Sequence, residues 1–239
     1  MHTIFRKLVG QSSLVESALF YARVRHWDVY PGTRRIRRGR TLACSCGHAD
    51  CPTPGEHPDA QDWHRHASTH PQTIRWWWGL HPDASIIVPV GRTFDVIDIP
   101  ATVGQAALGR IARLGLRVGP VLAAHARYRF LVVPGARQDL PELLGWLDWP
   151  YTDLLDLRCY GEGDHMAVPA LDTGPKAPLY WVIPPTPDNM VLPYARDIVP
   201  TITYSYLGVV RDQRSETRPD QGPAPLPVQR AGSRLEGDL

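Results

Sequence analysis

The sequence predicts an α+β fold, a core with a mixed or antiparallel sheet flanked by helices. Short β-rich runs come in adjacent groups, at residues 85–90 and 94–99 and again at 121–124 and 128–133. They do not alternate one by one with helices, as a doubly wound parallel sheet requires. Between them lie segments whose apolar residues recur at helical spacing. A third observation concerns residues 41–67, rich in Cys, His and Pro and without periodicity. A loop of that kind needs something other than an apolar core to order it.

The 239 residues are 43% hydrophobic and 21% charged, the balance of a globular chain. A chain this long buries a core without disulfide or metal staples. No run of about 18 apolar residues exists, so no membrane-spanning helix is expected. The N-terminus, MHTIFRKLVGQSS, has no apolar secretory core, so a cytoplasmic protein is expected. Net charge is only +2, but residues 1–40 hold nine Lys/Arg against two acids. All but Lys7 and Lys176 of the basic residues are arginine. GC-rich coding explains that bias, and arginine also suits phosphate contact.

In chain order, residues 1–12 read as an N-terminal arm. Ser13 and Glu16 give the capping-box signature of a helix over 13–26, with Leu14, Val15, Ala18, Leu19 and Ala22 on one face. A short strand is expected at Trp27–Tyr30, and Arg34–Arg40 as a basic loop. Pro71 opens a helix running to Gly79. One or two rings of Trp76, Trp77 and Trp78 belong in the core; a base-stacking platform is the alternative. Gly91-Arg92 separates two strands by a hairpin or a tight bend. Thr102 is expected to cap a helix ending before Gly115, burying Ala107, Leu108, Ile111 and Leu114. Strands follow at 121–124 and 128–133, a helix near 140–147, then strands near 155–160, 165–168 and 179–183. A further helix is expected from Pro187 to Ile198. The domain is placed at 13–210, with residues 211–239, free of aromatics and balanced in charge, as a disordered tail.

Cys44, Cys46, Cys51 and His57 lie within 14 residues, among turn-forming Gly47, Pro52, Pro54 and Gly55. That is a tetrahedral zinc set on a chain able to turn sharply, with His48 as substitute fourth ligand. Free thiols or a disulfide are the alternatives, the latter disfavoured in a reducing compartment. Cys159 sits in a strand pattern and reads as a small buried residue.

Several segments in order carry a resemblance. They are the helix ending at Trp27, the CSCG…DCPTPGEHP loop, Ile74-Arg-Trp-Trp-Trp78, Phe94-Asp-Val-Ile-Asp98 and Arg158-Cys-Tyr-Gly-Glu-Gly-Asp-His-Met-Ala-Val-Pro169. Over residues 14–205 the chain resembles the bifunctional DNA primase/polymerase N-terminal domain of the archaeo-eukaryotic primase superfamily, in the form common in high-GC actinobacteria. The resemblance implies a nucleotidyltransferase with two divalent ions (Mg²⁺ or Mn²⁺) held by acidic side chains. It implies a strand-end Asp-x-Asp pair, a later acid and a phosphate-binding histidine.

Here the pair reads Asp98-Ile99-Pro100, and Pro100 cannot ligate a metal. Asp95 points to the opposite face. Asp156 matches the later acid, and Tyr128 stands where the histidine is expected, with His125 three residues early. Glu56 occupies a position where relatives often carry lysine. Asp98 and Asp156 are the candidate catalytic residues. Two carboxylates are too few for two divalent ions, so an active site would need Glu162 or Asp164 as well. Arg127, Arg129 and Arg158, with the Gly161 and Gly163 amides, are candidates for nucleotide or DNA phosphates. Such arginines pair with acids more often, and the Gly161–Gly163 turn is equally a plain hairpin. The expected function is therefore a primase/polymerase-like domain, catalytically degenerate, that binds nucleic acid or nucleotide. An active enzyme and an unrelated zinc-containing interaction module are the alternatives, and a separately encoded replication protein is a candidate partner.

Overall fold

A computed structural model describes residues 13–39, 41–147 and 156–216. Helix α1 (Leu14–Val24) starts where the capping signature sets it: the Ser13 hydroxyl accepts from the Glu16 amide at 3.4 Å. Strand β1 is short (Tyr30–Pro31), and β2 (Arg35–Arg38) pairs with β3 (Thr41–Cys44) as a ribbon. The arginine run is thus a strand and not a loop. Alternate arginines point to one side of the ribbon, and the turn falls at Gly39, with φ +62°. Helix α2 (Trp63–His66) lies inside the region expected to be a loop. It buries Trp63 against Tyr30 and His165.

Helix α3 (Pro71–Leu80) sorts its three tryptophans by helical angle. Trp78 is buried and donates to the Ala84 carbonyl at 3.0 Å, Trp77 packs on Tyr30, and Trp76 is exposed. Strands β4 (Ile86–Pro89) and β5 (Asp95–Pro100) are joined by a tight bend, the Gly91 amide donating to the Phe94 carbonyl at 2.8 Å. They enter different sheets, so the bend is no hairpin. At Gly91 (φ +90°) a Cβ would lie 2.2 Å from the Glu162 amide nitrogen, which only glycine avoids.

Helix α4 (Ala101–Leu114) follows β5 directly, with Pro100 at its N-cap, so Thr102 does not cap it. Its buried residues are Val103, Gly104, Ala107 and Ile111, and Leu114 is exposed. Ala107 and Ile111 are buried as expected and Leu108 packs against the cluster in part, while Gly104 admits the Tyr128 ring, 2.6 Å from where a Cβ would stand. Strands β6 (Val121–Ala124) and β7 (Arg127–Val132), helix α5 (Ala136–Trp146) and strands β8 (Arg158–Tyr160), β9 (His165–Val168) and β10 (Leu179–Ile183) complete the sheets. The 148–155 stretch lies outside the described residues, so the strand expected from 155 is seen from Arg158.

Helix α6 (Ala195–Glu216) departs most from expectation. Residues 187–189 form one 3₁₀ turn, and the long helix begins later and runs through Pro200 to Glu216. Proline inside a helix removes a donor and ordinarily kinks or breaks it. Here Ile198, Val199 and Ile202 are fully buried around it, and that burial holds the helix together. The helix also enters the segment read as a tail, of which 217–239 lie outside the described residues; so does the arm at 1–12.

All strand pairs among the described residues are antiparallel. One sheet has order β1-β4-β9 and the larger β10-β6-β7-β5-β8. Strand alternation divides β5 between two cores. Val96 joins Tyr21, Trp27, Ile74, Trp78, Ile86 and Leu131 in a cluster between the sheets and helices α1 and α3. Ile97 and Ile99 join Val103, Ile111, Phe130, Ile198 and Ile202 under helices α4 and α6. Burying each such side chain contributes about 1.5–3 kcal/mol. Asp98 shares the parity of Val96, so it faces the gap between the sheets.

Candidate functional site

The gap is a cleft of about 170 Å³. Arg129, Tyr160 and Val96 line it from the large sheet, His165 and Met166 from β9, and Thr53 and Glu56 from the loop above. That loop is built on Cys44, the last residue of β3. Gly55 (φ +76°) passes so close that a Cβ would lie 2.8 Å from the Arg35 side chain. Its amide points at Cys44 Sγ, 3.4 Å away. The donor atoms of Cys44, Cys46, Cys51 and His57 all lie within 4.8 Å of one another. Tetrahedral zinc with bonds near 2.3 Å sets its ligands roughly 3.7 Å apart, so the group can hold a metal such as zinc with little movement.

Two details support that reading. His57 Nε2 is 3.3 Å from Sγ of both Cys44 and Cys51. His57 Nδ1 lies 2.7 Å from the Pro58 carbonyl, which only accepts, so Nδ1 carries the proton and Nε2 keeps its lone pair for a metal. Burial pushes the Cys44 thiol up, but donors from Cys46, Gly55 and Thr33 outweigh it and bring it down to about 5. Burial, with the neighbouring thiols, pushes Cys51 up to about 11. His48 is outside the four-residue group, and none of the four cysteines forms a disulfide.

Below the loop, Asp98 is 1% exposed, in the middle strand of a β7-β5-β8 trio. Register sets it opposite Arg129 on one side and Arg158 on the other. Pro100 stands opposite Arg127. The Arg127 Nε donates to Asp98 Oδ1, and its Nη1 to Asp156 Oδ2. Its Nη2 donates to the carbonyls of Asp98 at 3.1 Å and Asp156 at 2.8 Å. Arg129 Nε donates to Asp98 Oδ2 at 2.9 Å. Arg158 lies 3.6 Å from Asp156.

One guanidinium therefore joins both candidate catalytic carboxylates. Burial works against its charge, but its bonds to Asp156 and Asp98 outweigh that and hold it above the ordinary arginine range. Two carboxylates face three guanidiniums, and both Asp98 oxygens are occupied by donors. This donor set does not fit a pair of divalent cations, which need several free carboxylate oxygens.

The other candidates are also drawn into internal contacts. The Gly161 amide donates to Asp164 Oδ2 at 3.0 Å, so the anion it meets is the chain's own. The 161–164 turn, with Gly163 at φ +90°, links β8 to β9 in the other sheet and is no hairpin. Asp164 pairs with Arg137 at 2.7 Å and does not join Asp98. Asp95 lies on the opposite face, as expected, accepting from the Gly135 and Arg137 amides at 3.0 and 3.1 Å. Burial pushes its carboxyl up against those donors. Cys159 is half-buried, and burial followed by the nearby Asp95 pushes its thiol up to about 12.

Sequence reasoning missed one contact. Glu56 reaches from the loop to Arg35 in the ribbon and, at 3.1 Å, to His125 in the β6–β7 turn. His125 has φ +55°, rare for a residue with a Cβ. The signal was present as an acid in a lysine position and a histidine displaced into a turn. Only the fold shows that the two meet.

Among the described residues, no helix is long and apolar enough to cross a membrane. The family model described as bifunctional DNA primase/polymerase, N-terminal, matches residues 18–193, about three-quarters of the chain. No curated protein and no solved structure gives a significant match.

Proposed function

The chain belongs to the bifunctional DNA primase/polymerase N-terminal family, and we propose that it is a catalytically silent member that binds nucleic acid or nucleotide in the ancestral cleft. One observation supports this above the rest: the Arg127 guanidinium lies between Asp98 and Asp156, where the family's chemistry calls for metal ions. A fixed cation there offsets the carboxylates but accepts no phosphate oxygen or primer hydroxyl as a ligand. Residue 100 adds a proline where a second carboxylate is needed.

The phosphate contacts fall to arginines not already spent on acids. Arg158 is 59% exposed in its side chain and only loosely paired, and Arg37 is exposed on the ribbon beside the cysteine loop. Arg127 and Arg129 serve Asp98 instead. Zinc at Cys44, Cys46, Cys51 and His57 has a structural role, tying the loop over the cleft. A role in replication beside a separately encoded protein belongs to the same reading, as does a cytoplasmic location.

The test has two arms. Primer synthesis and extension with Mg²⁺ or Mn²⁺ should be undetectable. Single-stranded DNA should bind equally with and without added Mg²⁺ or Mn²⁺ and weaken with salt, and Arg158→Ala should lower the log–log salt slope by about 0.7. Robust synthesis abolished by Asp98→Ala overturns the reading, and so does the absence of any binding to DNA or to a nucleoside triphosphate.

A further inference from the structure

Helix α5 carries two stripes. Leu140, Leu143, Leu144 and Leu147 pack on the core under α4 and α6. Beside them, Asp139, Glu142 and Trp146 recur at spacings of three and four and so share a face. Across from this face stand Tyr194 and Arg196, at the start of α6. The two walls enclose an open groove of about 440 Å³, floored by Val133, Pro134 and Ala136. Its floor is firm, since the Val133 amide donates to the Pro193 carbonyl at 3.0 Å.

The groove is separate from the cleft. Val132 pairs with Asp95 at one end of the β5–β7 ladder, and Arg127 pairs with Pro100 at the other. The groove lies beyond the Asp95 end. Asp95 accepts from the first amides of α5, which anchors the groove wall to the strand bearing Asp98.

Three features indicate what the groove takes. Trp146 is 82% exposed and Tyr194 49%. Arg196 stacks over the Tyr194 ring at 4.3 Å, which holds both in place. Trp, Tyr and Arg are the residues that dominate binding hot spots between proteins. Asp139 and Glu142 are exposed and have no cationic partner among the described residues, the neighbouring Arg137 being paired with Asp164. Free carboxylates beside an apolar floor repel phosphate, so the groove does not extend a nucleic-acid track. They complement a lysine or arginine placed next to an apolar side chain.

We propose that this groove docks a basic amphipathic segment of a partner protein. Its apolar side chain would enter between Trp146 and Tyr194, and its Lys or Arg would meet Asp139 and Glu142. The proposal does not depend on the state of the Asp98 site.

The test selects a displayed library of random twelve-residue peptides against the full chain, then titrates the enriched peptides against variants. Enriched sequences should carry Leu, Phe or Trp within four residues of Lys or Arg. Trp146→Ala or Tyr194→Ala should weaken them by at least about tenfold. Asp139→Asn with Glu142→Gln should weaken them severalfold, with single-stranded DNA binding unchanged. Circular dichroism confirms that these surface variants fold. The proposal fails if no peptide is enriched, if enriched peptides ignore the aromatic variants, or if acidic sequences bind as well as basic ones.

Discussion

Two regions of this molecule gather donors suited to a cation, and they differ in whether the chain supplies one of its own. The Cys44–His57 loop presents four convergent donors and no positively charged side chain among them. Any cation it holds, such as zinc, must come from outside. The Asp98–Asp156 pair has its own, the Arg127 guanidinium two residues along the same strand face from Arg129. The first keeps what its ligands need to work; the second satisfies its acids internally. An acidic cluster thus says little about metal binding until the neighbouring arginines have been located.

The sharpest way to break this contrast is to remove the internal cation. Arg127→Ala strips Asp98, buried at 1% exposure, of one of its two guanidinium partners. Breaking a buried pair costs about 3–5 kcal/mol. Urea unfolding should show a loss of that order. Mn²⁺ should recover part of it in the variant and none in the wild type. A wild-type protein that Mn²⁺ stabilises would show that the guanidinium does not close the site.

Next in size is loss of the external cation. Cys51→Ser, or a strong chelator, should reduce bound zinc from about one equivalent to near none. Closing a loop of this length contributes roughly 3 kcal/mol of chain entropy, so the thermal midpoint should fall by roughly 6–12 °C. Hydrogen exchange should rise over 41–58 and stay unchanged over 95–100. Protection lost equally in both regions would mean that the two sites are one cooperative unit.

A smaller effect sharpens the link between them. Glu56→Lys restores the side chain expected from the resemblance and sets it against Arg35 and His125. The Glu56 side chain is only 9% exposed, so the change costs more than an exposed pair would, about 1–3 kcal/mol. Affinity for single-stranded DNA should rise and its salt dependence steepen. Unchanged DNA binding would place the loop outside the binding surface.

The smallest effect is a pH dependence at Asp95, on the far face of the same strand. Its folded pKa is raised by burial, so the native state binds the proton more tightly than the unfolded chain does. Its stabilising contribution is then full below the unfolded value near 3.9 and is lost as pH rises through the raised folded value. Wild type minus Asp95→Asn stability, measured by urea unfolding across that window, should fall with rising pH. A flat or rising difference contradicts the sign.

Much of this was legible in one dimension. The cysteine and histidine spacing designated a candidate metal loop, and its four donors converge as expected, because a short chain with turns at Gly47 and Gly55 leaves them little choice. Membership of the family rested on ordered segments and holds. The α+β class was readable from grouped strands. What the residues could not show was which strands share a sheet. The 86–89 and 95–100 runs look like a hairpin and belong to different sheets. Nor could the residues show that the helix expected over 187–198 would give way to one over 195–216, where tertiary burial carries it through Pro200. The arginines at 127 and 129 read as acid partners more often than as phosphate ligands, but which acids they meet was not legible, since alternation gives a face and not a neighbour.

By itself, then, the sequence determined most of the strands, the helices at 14–24 and 71–80, the family and the missing carboxylate at residue 100, all properties of residue type and local spacing. The tertiary structure alone decided that Arg127 spans Asp98 and Asp156, that Glu56 meets His125 and that Trp146 faces Tyr194. Each of these contacts joins residues about 30 or more positions apart, and their geometry depends on strand register and sheet order, which no local pattern encodes.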